Sequence, residues 1–104
     1  MWSDIKHPGI EKIEKTVAEY YIWELYITPY AKFKIKIRES ADHKYTGYTE
    51  VLIADESGSF HCAVGHGDTE EAALEDTIAE FFKMTARKKE WEEEDFRYVE
   101  PYDF

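Results

Sequence analysis

The residue types that most often bind metals or act as nucleophiles are few in this chain. They fall at His7, His43, His61, Cys62 and His66. A zinc site needs such side chains to converge on one point. Residues 59–65 read as a strand, on which His61 and Cys62 point to opposite faces, while Cys62 shares its face with Phe60 and Val64. We therefore predict a core cysteine beside surface histidines, with no metal site and no cofactor.

The chain also lacks the patterns that mark an active site. A nucleophilic Cys62 would need a neighbouring base and an electropositive setting, and an apolar strand face supplies neither. Carboxylates are abundant, but acid–base catalysis needs two of them in buried surroundings that give them different pKa values. The sequence pattern indicates no such pair. Gly65-x-Gly67 precedes a helix, as in an anion-binding turn. The residues that follow are acids, which would repel a phosphate, and the lysine of a P-loop is absent. The sequence predicts a protein that is not an enzyme.

The distribution of charge along the chain is the most informative property of this sequence. The formal net charge is −10. Residues 1–52 hold eight Lys or Arg and eight Asp or Glu, for a net of zero, whereas residues 53–104 hold five and fifteen, for a net of −10. Such a field opposes direct binding to nucleic acid or to an anionic membrane and attracts a basic protein surface. A basic protein is therefore the expected partner.

The acids of the second half form two runs, one on a predicted helix and one beyond it. Acids in a first helical turn favour the helix dipole, but Asp76 and Glu80 are like charges at i,i+4, which costs a few tenths of a kcal/mol. Because the runs exceed what capping requires, we predict that they form a partner-binding surface. Its candidate residues are Asp68, Glu70, Glu71, Glu75, Asp76, Glu80, Glu92, Glu93, Glu94 and Asp95.

One strand offers an opposite pattern. Residues 32–38 alternate, with Lys32, Lys34, Lys36 and Arg38 on one face and apolar residues on the other. This basic stripe could bind nucleic acid across an open sheet face. The alternative is an ordinary solvent-exposed face, paired with a carboxylate such as Glu50 on the neighbouring strand.

A small set of elements must hold these residues in place. In chain order the patterns predict a helix that starts at Gly9 and whose end is open, strands at 32–38, 48–54 and 59–65, and a helix that is capped by Asp68 and runs to about Arg87. Residues 23–28 fit either a strand or the end of the first helix, and Pro29 closes that segment. Asp68 and Glu71 have the spacing of a capping box.

These elements predict an α+β fold, in which a three-stranded antiparallel meander carries an N-terminal and a C-terminal helix on one face. Residues 1–89 form the single α-β-β-β-α domain, and 90–104 form an acidic, aromatic-rich tail. One cysteine cannot build an internal disulfide framework, and no segment reads as a signal peptide or a membrane span. The expected location is the cytoplasm, or the host cytoplasm if a phage encodes the chain.

The turn Gly65-His66-Gly67-Asp68-Thr69, leading into Glu71-Ala72-Ala73, resembles the junction before the second helix of double-stranded RNA-binding domains. That family places phosphate-binding lysines where this chain has acids, so the resemblance implies the fold and not RNA binding. Gly67-Asp68-Thr69-Glu70-Glu71-Ala72 is also similar to the strand-to-helix junction of HicB-type antitoxins, which implies a toxin partner.

In overall profile the chain resembles small, acidic, phage-encoded inhibitors of nucleic-acid enzymes, including anti-CRISPR proteins, some of which imitate DNA. This resemblance implies that helix-borne carboxylates occupy a Lys/Arg channel built for phosphates. Aromatic residues of the tail, or Tyr45 and Tyr48, would supply packing anchors. We therefore expect an inhibitor that acts as a DNA or RNA mimic, with a nucleic-acid-binding module and a HicB-like antitoxin as alternatives.

Overall fold

A computed structural model describes all residues from Met1 to Phe104. The chain forms an antiparallel sheet in the order β1-β2-β3-β4, with a short β5 paired to β3, and one helix packs on a single face of this sheet. The elements are β1 (Glu14–Trp23), β2 (Lys32–Ser40), β3 (Tyr45–Ala54), β4 (Phe60–Gly67), α1 (Glu70–Thr85) and β5 (Phe96–Tyr98). Short 3-10 turns lie at Trp2–Asp4 and Glu93–Asp95.

The α+β class and the antiparallel meander of the three predicted strands are confirmed, as β2, β3 and β4. The predicted C-terminal helix is α1. The sheet is larger than predicted, because β1 adds a strand at one edge and β5 pairs with Val51–Ile53 of β3. Residues 96–98, which lie within the predicted tail, are thus part of the sheet.

The predicted N-terminal helix is wrong, since residues 14–23 form β1. Ala18, Tyr20 and Ile22 lie opposite the inward-facing residues of β2. A bulge between Thr16 and Ala18 inserts Val17 and breaks the two-residue alternation of apolar side chains. The apolar residues are therefore spaced in a way that also fits a helix. Residues 23–28, whose sequence fits either a strand or a helix, form the last residue of β1 and the loop that follows it.

The core lies between α1 and the inner face of the sheet. Phe33 of β2 packs against Phe81 of α1 with ring centroids 4.4 Å apart. Alternate residues of β2 and β3 point into this layer, as the predicted pattern of residues 32–38 requires. The nine core residues are Phe33, Ile35, Ile37, Val51, Ile53, Ala63, Ala73, Phe81 and Phe96.

The helix approaches the sheet most closely over a pair of glycines. Gly47 and Gly65 face each other across β3 and β4, and the fully buried Thr77 of α1 lies against both. A Cβ on Gly65 would lie 2.6 Å from Thr77 Cα, and one on Gly47 would lie 3.1 Å from Thr77 Cβ. Only residues without a side chain allow the two backbones to come this near.

This close approach reverses the predicted orientation of β4. The sequence predicts Phe60, Cys62 and Val64 in the core, but they lie half-buried on the outer face. The residues that face α1 are Ala63 and Gly65, because the gap beneath the helix admits only small side chains.

The N-cap of α1 lies one residue later than the predicted cap, Asp68. Thr69 is its N-cap, and the Thr69 hydroxyl accepts a hydrogen bond from the Ala72 N–H at 3.0 Å. Asp68 therefore does not cap the helix, because Thr69 supplies the hydroxyl oxygen that satisfies a free N–H of the first turn. At the other end, the Trp91 indole N–H donates to the carbonyl of Thr85 at 2.9 Å.

The turn between β3 and β4 depends on one carboxylate. Asp55 Oδ1 accepts the N–H groups of Ser57 and Ser59 at 2.8 and 3.0 Å, and Oδ2 lies 2.7 Å from His61 Nε2. These contacts, led by the Ser57 hydroxyl and then His61, hold the pKa of Asp55 far below its usual value. The turn residue Gly58 adopts φ +88°, a conformation that favours glycine.

We predict that Gly65→Ala destabilises the fold, because the added methyl must displace the backbone of α1. Overpacking of this kind costs about 1–3 kcal/mol. The free energy of unfolding from urea titration checks the result. Gly9→Ala is the matched control, since Gly9 lies in the exposed lead-in before β1, and we expect a change within about 0.5 kcal/mol. Equal stability of the two variants would contradict the close approach.

We predict that Asp55→Asn lowers the melting temperature at neutral pH, because it removes the charge that the turn stabilises. A carboxyl whose pKa is lowered by folding contributes stability above its unfolded pKa, and that contribution is lost as the pH falls below about 4. The stability difference between wild type and Asp55→Asn should therefore shrink from pH 7 to pH 2. A difference that stays constant over this range would contradict the assignment.

Candidate functional site: the unpartnered carboxylates and the outer face of the sheet

Half of the ten predicted partner-binding acids have partners inside the molecule. Asp68 Oδ1 accepts a hydrogen bond from Lys44 Nζ at 2.7 Å, which lowers the pKa of Asp68 and raises that of Lys44. The Tyr20 hydroxyl donates to Glu70, and this bond raises the pKa of Tyr20. These two acids tie the start of α1 to the sheet.

Three further acids also have internal partners. Asp76 accepts the His66 N–H at 2.8 Å, which satisfies a main-chain donor on the edge strand β4. Glu80 lies 3.0 Å from Lys83 Nζ on the same helix. Asp95 accepts the Glu92 N–H and Lys88 Nζ, each at 2.9 Å, and these two bonds lower its pKa.

The remaining acids form two separate groups. Glu71 and Glu75 are exposed, lie one turn apart on the outer side of α1, and make no ion pair or hydrogen bond through their side chains. Glu93 and Glu94 are likewise exposed and lie in the 3-10 turn beyond the C-terminal end of α1, where Glu92 is the N-cap. The predicted acidic surface is therefore smaller than its sequence runs imply, and it is divided between the two ends of the helix.

The residues considered for metal binding and catalysis do not converge. His61 pairs with Asp55 on the helix side of β4, whereas Cys62 lies on the outer face. Asp55 stands between Ser57 and His61, so the imidazole does not contact the Ser57 hydroxyl as a general base must. Burial raises the pKa of Cys62, which disfavours its thiolate. No cluster of three or more His, Cys, Asp or Glu side chains is placed to hold a metal ion.

The basic stripe of β2 lies on the outer face of the sheet, where it meets aromatic rings. Lys32 Nζ lies 4.9 Å from the centroid of the Trp23 ring, and each other base of the stripe has a ring of its own. The remaining pairs are Lys34 with Tyr21 at 5.5 Å, Lys36 with Phe104 at 4.5 Å and Arg38 with Tyr48 at 5.3 Å. Distances of this order are those of cation–π contacts.

The predicted pairing of this stripe with Glu50 takes another form. Glu50 Oε1 accepts the main-chain N–H of Lys34 at 3.1 Å, in place of the ladder bond that is lost where β2 and β3 separate. The Lys34 ammonium instead lies 3.8 Å from Glu19, and Arg38 lies 3.9 Å from Glu14. The stripe is thus partly neutralised by its neighbour β1.

Most of the predicted aromatic anchors have contacts inside the molecule, whereas Tyr102 of the tail is 86% exposed. Tyr45 packs against the core, and the Tyr48 ring lies beneath Arg38. Four of the exposed aromatic and aliphatic side chains lie around the β1–β2 loop, at Trp23, Leu25, Tyr26 and Tyr30. Four such residues within eight positions of a polar chain are a signal present in the sequence. It is obscured there because alternation through residues 23–28 also fits a strand.

The helices of the chain are all too short or too polar to cross a lipid bilayer. Comparison with known proteins gives no family assignment: no family model, no curated protein and no solved structure matches this chain. Any functional conclusion therefore rests on the geometry of the site itself.

Proposed function

We propose that this chain binds a basic protein surface through the carboxylates that its fold leaves without internal partners. The specific form of the proposal is an inhibitor of a nucleic-acid-handling enzyme that competes with DNA or RNA, as an anti-CRISPR or another phage anti-defence protein would. The expected contact residues are Glu71 and Glu75 on α1 and Glu93 and Glu94 beyond it.

The observation that carries this proposal is the separation of charge between the two layers of the fold. β2 holds four bases and one acid, for a net of +3, and its bases lie on the outer face of the sheet. α1 holds five acids and one base, for a net of −4, and covers the opposite face. A partner that approaches the helix layer meets carboxylates without the basic stripe beside them.

The mechanism follows from what carboxylates and phosphates share. Both accept charge-assisted hydrogen bonds from Arg and Lys, often as bidentate pairs with Arg. Glu71 and Glu75 are four residues apart on a rigid helix, which separates them by about 6 Å along its axis. Carboxylates held at such a spacing would occupy successive phosphate positions in a Lys/Arg channel and exclude the nucleic acid from it.

We predict that replacing Glu71, Glu75, Glu93 and Glu94 with Gln weakens binding to the partner by roughly tenfold or more at low salt. The tagged chain captures the partner from host lysate, mass spectrometry identifies it, and calorimetry with the purified protein measures the dissociation constant. Wild-type binding should weaken as salt rises, and duplex DNA should compete with it.

The matched control removes four other exposed acids and brings the net charge to the same value, −10 + 4 = −6. Its substitutions are Glu11→Gln, Glu56→Gln, Glu100→Gln and Asp103→Asn. We expect this variant to bind almost as tightly as wild type. Equal weakening in both variants would assign the effect to net charge, and no weakening in either would refute the proposed surface.

A second function is favoured by the pairing of bases with rings on the outer face of the sheet. Single-stranded nucleic acids bind to grooves that combine a basic path for the backbone with aromatic platforms for the bases. A cleft of about 380 Å³ beside the stripe is lined by Tyr21, Tyr30, Lys34 and Tyr98, among others. The surrounding acids oppose this binding, which is why the function ranks second.

Fluorescence anisotropy with a labelled oligo(dT) strand separates the two functions. If the outer face binds nucleic acid, wild type should bind the strand at physiological salt. The double variant Lys34→Gln, Lys36→Gln should bind it more weakly. Its affinity should also depend less steeply on salt concentration, by a slope that corresponds to about two released ions. Lys12→Gln with Lys15→Gln is the control, because both lysines are exposed and lie outside the stripe. Absence of binding by wild type would exclude this second function.

A further inference from the structure

The β1–β2 loop and its flanks, residues 23–30, expose an apolar surface that the rest of the fold does not cover. Leu25 and Tyr26 are each 89% exposed, Trp23 is 71% exposed and Tyr30 is 69% exposed. Scattered exposed apolar residues are normal, but four within eight consecutive positions indicate an interaction site. Trp and Tyr are also the residue types that most often carry binding energy at interfaces. We call residues 23–30 the anchor loop.

The anchor loop is held in one conformation by Glu24. Its Oε2 accepts the N–H groups of Ile27 and Thr28 at 2.7 and 3.2 Å, and its Oε1 lies 3.4 Å from the Thr28 hydroxyl. The loop closes through the Glu24 N–H, which donates to the carbonyl of Ala31 at 3.0 Å. Such a loop loses little conformational entropy when a partner binds, which favours affinity.

The two sides of the anchor loop differ. Ile27 and Thr28 point inward, where Ile27 packs against the core and Thr28 is buried. Leu25 and Tyr26 are left pointing outward. Tyr26 adopts φ +63°, a left-handed conformation that a bulky side chain rarely takes. The backbone at Tyr26 is therefore strained, and strained residues of this kind cluster at functional sites.

An unpartnered acid lies beside the anchor loop. A cleft of about 320 Å³ joins Tyr26 and Tyr30 of the loop to Trp91, Glu92 and Glu93. Glu93 is exposed and forms no ion pair. Outward aromatic side chains next to free carboxylates match the arrangement of many protein interfaces, in which apolar anchors are surrounded by a charged rim.

We infer that the anchor loop inserts into an apolar pocket of the partner that is bordered by Lys or Arg side chains, with Glu93 contacting those bases. This inference rests on the proposed function, because it names the pocket through which the basic partner is recognised. It also ranks the two acidic groups: Glu93 lies in the charged rim directly beside the anchor loop, and Glu71 and Glu75 lie further out.

Charge favours this occupant over two others. An anionic membrane surface would be repelled by a chain of net charge −10 that carries Glu92 and Glu93 beside the loop. A second copy joined through the same surface would bring like carboxylates together across the twofold axis. A protein of opposite charge meets neither penalty.

A phage-displayed library of random-sequence peptides supplies a defined probe for the full chain. We expect wild type to enrich peptides that combine Lys or Arg with large apolar residues. Leu25→Ser with Tyr26→Asn removes the anchors at unchanged charge, and Asn tolerates the left-handed conformation at position 26. A synthetic copy of the most enriched peptide should bind this variant roughly tenfold more weakly than wild type. Glu93→Lys should weaken binding as well.

Matched controls separate the anchor loop from general exposure and charge. Tyr102→Asn removes a tyrosine that is 86% exposed outside the cleft, and Glu56→Lys makes the same charge reversal as Glu93→Lys at an exposed, unpartnered acid in the turn between β3 and β4. Both controls should bind the peptide within about twofold of wild type, because neither residue lines the cleft. Circular dichroism of every variant should show an unchanged fold, since the substituted side chains are exposed.

The other outcomes identify what has failed. Basic peptides that bind independently of Leu25 and Tyr26 would overturn the anchor loop and leave the acidic surface in place, whereas enrichment without basic residues would overturn both proposals. A blue shift of tryptophan fluorescence with phosphatidylcholine vesicles, lost in the Leu25→Ser, Tyr26→Asn variant, would make the loop a membrane contact. Sedimentation of a dimer that the same variant abolishes would assign it to self-association.

Discussion

The contact of Thr77 with the Gly47–Gly65 pair is the constraint on which the rest of the structure depends. It brings α1 so close to β3 and β4 that no Cβ fits between them at Gly65. Gly67 extends the same seam, since a Cβ there would lie 2.8 Å from the carbonyl carbon of Ala72. Small residues must therefore face the helix, and the larger Phe60, Cys62 and Val64 of β4 take the other face. The seam thereby determines which side chains the outer face presents.

The same seam explains why so many of the acids have structural partners. A helix set this low on the sheet brings its polar residues within reach of strand groups. Asp76 meets the His66 N–H, Glu70 meets the Tyr20 hydroxyl and Lys44 meets Asp68. Charge that is regional in the sequence therefore divides into carboxylates that fix the helix and carboxylates that remain free. Only the second kind can contribute most of its charge to a partner.

How far the sequence predicts this molecule depends on whether the local pattern is intact. Residues 32–38 alternate without interruption, and the strand predicted there is β2. Residues 14–23 are rich in β-branched and aromatic types, yet the bulge at Val17 shifts their alternation and mimics a helical spacing. The inward face of β4 cannot be predicted from hydrophobicity, because Phe60 and Val64 are more hydrophobic than Ala63 and Gly65. The inward positions require small residues, because α1 lies so close to β4.

The candidate site was harder to predict, because residue type does not show which acids are occupied. Glu24 and Glu93 are the same residue type, but Glu24 turns inward to bind three groups of its own loop, and Glu93 remains free beside that loop. The position of the exposed aromatic side chains in the anchor loop depends on Glu24. Without the hydrogen bonds that Glu24 accepts, Ile27 and Thr28 would satisfy their N–H groups with water, and the loop would no longer keep one conformation. An acid whose carboxylate is occupied within its own loop can therefore be what makes the neighbouring acidic surface specific.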